Sequence, residues 1–101
     1  MKLPPDKIKY IDIPELQETF VDSMGLSIFD GNTLRLELCV TRLNEPKPPK
    51  APTGEKYPVC RLVLTPDTTV ELYNQLNQLI GLMAQQGLVK KEDVPEGTIK
   101  H

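Results

Sequence analysis

The groups in this chain whose types could support chemistry are few: Asp22, Glu37 and Arg42, the thiols of Cys39 and Cys60, and His101. An acid on an otherwise apolar strand face, with an arginine and a second acid nearby, is the minimum for proton transfer on a charged substrate. Asp22 fits that description, but an acid at the end of a sheet beside an arginine is more often a structural ion pair. His101 is the single histidine and the last residue, a poor place for a positioned base. Two thiols without a histidine beside them do not complete a zinc site. Their strand positions put Cys39 and Cys60 on opposite sheet faces, too far apart in direction to bridge. Gly25 and Gly54 belong to no phosphate-cradling motif. No catalytic, cofactor-binding or metal-binding grouping emerges, so the expectation is a protein that is not an enzyme.

The totals narrow the partners. A length of 101 residues allows one domain. A net charge of −2 argues against nucleic acid or an anionic membrane as the main partner. No apolar run approaches membrane-spanning length, and MKLPPDKIKY lacks the apolar segment of an export signal. A cytoplasmic protein with two free thiols is the expectation.

The elements that would position these groups lie mostly in residues 19–88. Phe20, Met24, Leu26 and Ile28 alternate along one strand face, interrupted by Asp22, and Leu34, Leu36, Leu38 and Val40 along the next, ending at Arg42. Asp30-Gly31-Asn32 between them is a hairpin signal. Apolar matching favours a three-residue loop, which sets Ile28 opposite Leu34, Leu26 opposite Leu36 and Met24 opposite Leu38. The same register puts Asp22 opposite Val40 and within reach of Arg42. The other face carries Ser23, Gly25, Ser27, Arg35, Glu37, Cys39 and Thr41 and reads as wet. Residues 44–56 form a proline-rich loop whose composition suits an extended linker. A third strand follows, with Cys60, Leu62 and Leu64 on one face. Thr65-Pro66-Asp67 then starts a helix: a hydroxyl cap, a proline where no amide is needed, and a negative charge at the positive end of the dipole. Leu72, Tyr73, Leu76, Leu79, Ile80 and Met83 recur at helical spacing. Gly87 and Leu88 match a Schellman-type end, so the helix should run from Pro66 to Gln86.

That helix has no Lys or Arg between Arg61 and Lys90, and its polar positions are largely amides. A second stripe, Val70, Asn74, Asn77, Gly81, Ala84 and Leu88, has small residues in its middle and suits close approach of another helix. A solvated helix usually carries charge, which favours an interface over a wet face. Asn74 and Asn77 would then hydrogen-bond across the contact. Residues 1–18 mix charge with Ile8, Tyr10, Ile11, Ile13 and Leu16 and are broken by prolines. They read as a short strand, an arm lying on another subunit, or a tail. Residues 89–101 read as a polar tail.

The fold class that results is α+β: a three- or four-stranded antiparallel sheet covered on one face by a long C-terminal helix. With about 70 ordered residues the core is thin, a size at which association often supplies missing burial. Residues 16–88 also resemble a family of short bacterial proteins of unknown function. The likeness is carried by Arg61, Leu62, Val63, Leu64, Thr65 and Pro66, an arginine-containing strand running into Leu-Thr-Pro and a long helix. The resemblance implies a bacterial origin and supports the strand-to-helix join; it implies no reaction, ligand or partner. The chain departs from it in the proline-rich loop. By fold analogy alone the arrangement is similar to SecB-type export chaperones. The leading expectation is a non-enzymatic, homo-oligomeric adaptor or protein-binding protein. The alternatives are a peptide-binding or SecB-like module using a sheet edge or the apolar helix flank, and a small enzyme with a site between subunits around Asp22, Arg42 and Glu37.

Overall fold

The computed structural model of the chain describes residues 4–90. Three antiparallel strands, β1 (Ser23–Phe29), β2 (Leu34–Leu43) and β3 (Gly54–Leu64), form an open sheet in the order β1-β2-β3. One long helix, α1 (Pro66–Gln85), follows. This is the expected α+β arrangement, with three strands among the described residues. Both β1 and β3 are edges, and an edge is where a sheet accommodates a proline such as Pro58.

The helix forms for local reasons and ends within a residue of where its sequence says it should. Thr65 is the N-cap, and its hydroxyl accepts from the Thr68 amide at 3.2 Å. Gly87 adopts φ +77°, the left-handed conformation that stops the helix. The Leu88 amide then donates to the Met83 carbonyl at 2.9 Å and the Gly87 amide to Ala84 at 3.1 Å, the two bonds of a Schellman motif.

The hairpin register differs from the expected one at its tip. Phe29 pairs with Leu34 and Ile28 with Arg35, and the Asp30 amide donates to the Thr33 carbonyl at 3.2 Å. The turn is therefore the two residues Gly31-Asn32, with Gly31 at φ +96°, rather than three. The carboxylate of Asp30 selects it. It accepts from the amides of Asn32 (2.9 Å) and Thr33 (2.7 Å), from the Thr33 hydroxyl (2.8 Å) and from Arg35 Nε (3.2 Å). Lower in the hairpin Met24 faces Leu38 as the apolar pattern requires. The two registers are reconciled by a bulge between Met24 and Ser27, which gives β1 one extra residue. As a result Phe29, not Ile28, shares the face of Leu34, and Ile28 moves to the face of Arg35 and Glu37.

A second bulge lies between Cys60 and Pro58, because Leu38 pairs with Cys60 but Cys39 pairs with Pro58. Beyond it the ladder continues to Leu43 opposite Gly54. Gly54, Glu55 and Lys56 thus belong to β3, and the proline-rich connection shortens from 44–56 to residues 44–53. Its base is closed by the Asn44 amide on the Thr53 carbonyl and by Asn44 Nδ2 on Thr53 Oγ1, both at 2.9 Å.

Hydrogen bonds hold the Asp30 carboxyl well below the usual carboxylate range: first the Thr33 amide, then the Asn32 amide and the Thr33 hydroxyl, with desolvation opposing them and Arg35 adding the least. A pKa depressed by folding contributes stability that is present above the unfolded value, about 3.9, and is lost as pH falls toward the folded value. The Asp30 carboxylate should therefore stay ionised in the folded hairpin through the pH range where ordinary aspartates protonate, while its contribution to stability declines across that range. An NMR titration of the Asp30 carboxyl carbon should show a midpoint clearly below that of a free aspartate, and Asp30→Asn should loosen the tip amides of Asn32 and Thr33 to exchange. A midpoint near 3.9 would sink this account of the turn.

Candidate functional site

Register places Phe29, Leu34, Leu36, Leu38, Cys60, Leu62 and Leu64 on one face of the sheet, hereafter the leucine face, since paired residues of an antiparallel ladder point the same way. The start of α1 lies beside it: Phe29 and Leu34 line a hollow of about 320 Å³ together with Pro66, Thr69 and Val70. Taken as a whole the helix contacts the sheet sparsely, chiefly at β3. Covering of the sheet within one chain is accordingly partial. The leucines stay half-buried, Phe29 is 67% exposed, and on the helix Tyr73 and Leu79 are 54% and 52% exposed. The single buried apolar side chain among the described residues is Cys39.

Two whole-chain quantities, to which the extended arm and the 44–53 connection also contribute, exceed those of a compact chain. The radius of gyration is 18.1 Å, where a compact chain of this length has about 13 Å. The accessible surface is 9324 Å², where a folded monomer of this mass exposes roughly 5,800 Å². Even half of that excess matches what each chain of an obligate homodimer buries, on the order of 1,000 to 2,500 Å² per partner.

The second helix stripe is carried by α1 as a surface of mixed depth. Val70, Asn74 and Leu88 are exposed, Asn77 and Ala84 are half-buried, and Gly81 is buried. Gly81 is the one buried residue of the helix.

Asp22, Arg42 and Glu37 do not assemble. Asp22 Oδ1 accepts from the Thr41 amide at 2.9 Å and from the Ser23 hydroxyl at 3.0 Å, while the Asp22 amide donates to the Cys39 carbonyl at 3.0 Å. The acid thus serves the end of the hairpin by capping backbone rather than by pairing with Arg42. Arg42 lies opposite Glu55. Glu37, an odd number of residues away on β2, faces the other side of the sheet, where Arg61 Nε donates to its Oε2 at 2.9 Å. Neighbouring Glu55 also accepts from the Tyr57 hydroxyl at 2.6 Å, which pushes the phenol pKa up by stabilising its protonated form. Cys39 and Cys60 are both free and sit on opposite faces, as their positions require. Among the described residues no cluster of three or more His, Cys, Asp or Glu is placed to hold a metal ion. His101 and the rest of 91–101 lie outside the described residues.

The bulge creates a feature that strand alternation hides. Leu26 and Ile28 join Val63 on the face opposite the leucines, in a groove of about 210 Å³ flanked by Arg35, Glu37 and Arg61. Gly25 is the signal that marks it, since a glycine inside a strand pattern announces a bulge or a close approach. A Cβ there would lie 2.9 Å from Cys39 Sγ and would overlap the Glu37 carboxylate. Lys56 crosses the same face from β3 over β2, its Nζ donating to the Met24 carbonyl on β1 at 3.0 Å.

The chain matches no protein-family model, no curated protein and no solved structure. Among the described residues no helix is long and apolar enough to cross a membrane.

Proposed function

We propose that this is a non-enzymatic adaptor or protein-binding protein that acts as a homo-oligomer, a dimer or a larger even assembly, with α1 in the contact. The observation that supports the reading is the pair of open apolar surfaces, the leucine face and the helix flank, which a single chain leaves half-exposed. Val70, Asn74, Asn77, Gly81, Ala84 and Leu88 form the seam, in which the small residues let a second backbone approach and the amides set register. Membership in a short bacterial family of unknown function, a cytoplasmic location, and the absence of any cofactor, nucleic-acid or membrane partner belong to the same proposal. The non-enzymatic part of the reading is supported by the separation of Asp22, Arg42 and Glu37 within one chain.

Sedimentation of the wild type at micromolar concentration should give the mass of a dimer or larger even assembly. Gly81→Leu inserts a bulky side chain into the seam and should yield monomer or aggregate. Because Gly81 is buried in the single chain, Asn74→Arg supplies an independent reading: Asn74 is exposed, so a charge there is harmless to a monomer but costly in a contact. A monomeric wild type, or an Asn74→Arg variant that associates as tightly as wild type, counts against the seam.

A second reading, a peptide-binding or SecB-like chaperone module, is favoured by the groove at Leu26, Ile28 and Val63 and by the two open sheet edges. It separates from the first by where an extended apolar peptide binds: chemical-shift changes confined to β1 and β3 edge amides support it.

A further inference from the structure

We propose that the N-terminal arm, residues 8–20, is an exchanged segment that lies across the leucine face of a second copy of this chain, with the exchange reciprocated about a two-fold axis. The inference rests on the homo-oligomer reading above and adds to it the element that fills the sheet.

Six large apolar residues stand along this arm, Ile8, Tyr10, Ile11, Ile13, Leu16 and Phe20, and their exposure runs from 58% at Ile8 to 85% at Tyr10. A segment that carried such residues only to face water would gain nothing for the conformational entropy lost in fixing it. The arm's own backbone bonds are local, from Lys7 to Pro4, Ile8 to Pro5 and Leu16 to Ile13. They shape it without docking it. Its root is pinned at Asp22, whose amide and carboxylate engage Cys39 and Thr41 of β2. The leucine face of the same chain does not receive the arm, since the arm's apolar residues stay exposed while the leucines are only half-buried.

Reach and area both allow a second copy to do so. Thirteen residues span at most about 43 Å, and the longest strand, β3, is 11 residues, or roughly 36 Å. The turn that the Leu16 amide closes on the Ile13 carbonyl shortens the arm below that limit, but it still spans the three strands, which lie about 4.8 Å apart. About half of each chain's excess surface is of the size that an obligate, apolar dimer interface removes from water. The opposite face is less suited as a receptor, because Lys56 already crosses it and the Arg61–Glu37 pair occupies its middle. Reciprocal placement follows from identity: an arm that fits one sheet fits the other, which makes the contact closed and self-limiting.

The native thiols provide the reporter. Cys60 lies half-buried on the leucine face, whereas Cys39 is buried and should stay silent. In the full chain, maleimide labelling of Cys60 should be slow at high concentration and quicken by about tenfold on dilution to monomer, as access to the thiol is restored. A chain beginning at Val21 should weaken association at least ~100-fold and label at the fast rate at every concentration. Should that truncation misfold by circular dichroism, Leu16→Glu with Phe20→Glu gives the same readout in the full-length chain. If truncation changes neither mass nor labelling, the arm proposal is overturned while a helix-mediated dimer stands. Protection of Cys60 that is lost on truncation but indifferent to dilution means that the arm covers its own sheet, and overturns exchange. A wild type that is monomeric throughout removes both readings.

Discussion

Leu36→Glu is expected to abolish self-association while leaving the single chain folded. Leu36 lies at the centre of the leucine face, on the middle strand, between Ser27 of β1 and Leu62 of β3. In one chain it is only half-buried. Replacing it there forfeits about 1 kcal/mol of apolar burial, and the carboxylate can reach water past the open helix. In an assembly that covers this face the same carboxylate must be stripped of water without a partner, at a cost of several kcal/mol. In a two-fold contact the penalty enters twice. The dissociation constant should rise more than ~1,000-fold, enough to turn a micromolar dimer into monomer in sedimentation velocity. Circular dichroism should retain the wild-type helix and sheet signals. Retention of the wild-type mass by Leu36→Glu would mean that the leucine face is not part of any contact.

Gly25→Val should be among the most destabilising single substitutions in the described chain. Gly25 sits in the β1 bulge, where its backbone lies against the Glu37 carboxylate and the Cys39 thiol, the latter only 2.9 Å from where a Cβ would be. Cys39 is the most buried side chain and is 1% exposed, so it has little room to yield. Glu37 can swing aside, but only by abandoning Arg61. Overpacking of this kind costs about 1–3 kcal/mol, and for a chain of this size each kcal/mol is worth roughly 4–8 °C. A fall of about 10 °C in Tm is the expected result, with Gly25→Ala intermediate. The Glu37 share can be isolated: Gly25→Ala combined with Glu37→Ala should be less destabilised than the sum of the two singles. A Tm within about 2 °C of wild type for Gly25→Val, the size of an ordinary surface substitution, would show that the bulge has slack.

How much was legible in the residues alone depends on the range of the interaction concerned. Thr65, Pro66, Gly87 and Leu88 act on backbone groups within five positions, so both ends of α1 could be read from them. Period-two alternation likewise located β2 and the apolar side of β3, because a strand's faces depend only on its own pleat. The stripe from Val70 to Leu88 on α1 is legible in the residues, but its depth is not. Burial of Gly81 and exposure of Val70 and Leu88 depend on what packs near each, which no local pattern encodes.

Strand pairing was settled by the tertiary structure. Apolar matching along the hairpin asked for one constant register, whereas the Asp30 carboxylate, by gathering Thr33, Asn32 and Arg35, imposed a two-residue turn at the tip. Both demands are met only by an extra residue in β1, and that bulge carried Leu26 and Ile28 to the face of Glu37. The same reason moved Asp22 from Arg42 to the Thr41 amide and Gly54–Lys56 from loop to strand, since a backbone donor left open by the ladder competes with any side-chain partner. By itself, then, the sequence determined the kinds of element, the helix ends and the apolar character of each face. Which residues meet across the strands, and that the helix leaves the leucine face half-open, were decided only in three dimensions, because register and coverage are set by contacts between segments far apart in the chain.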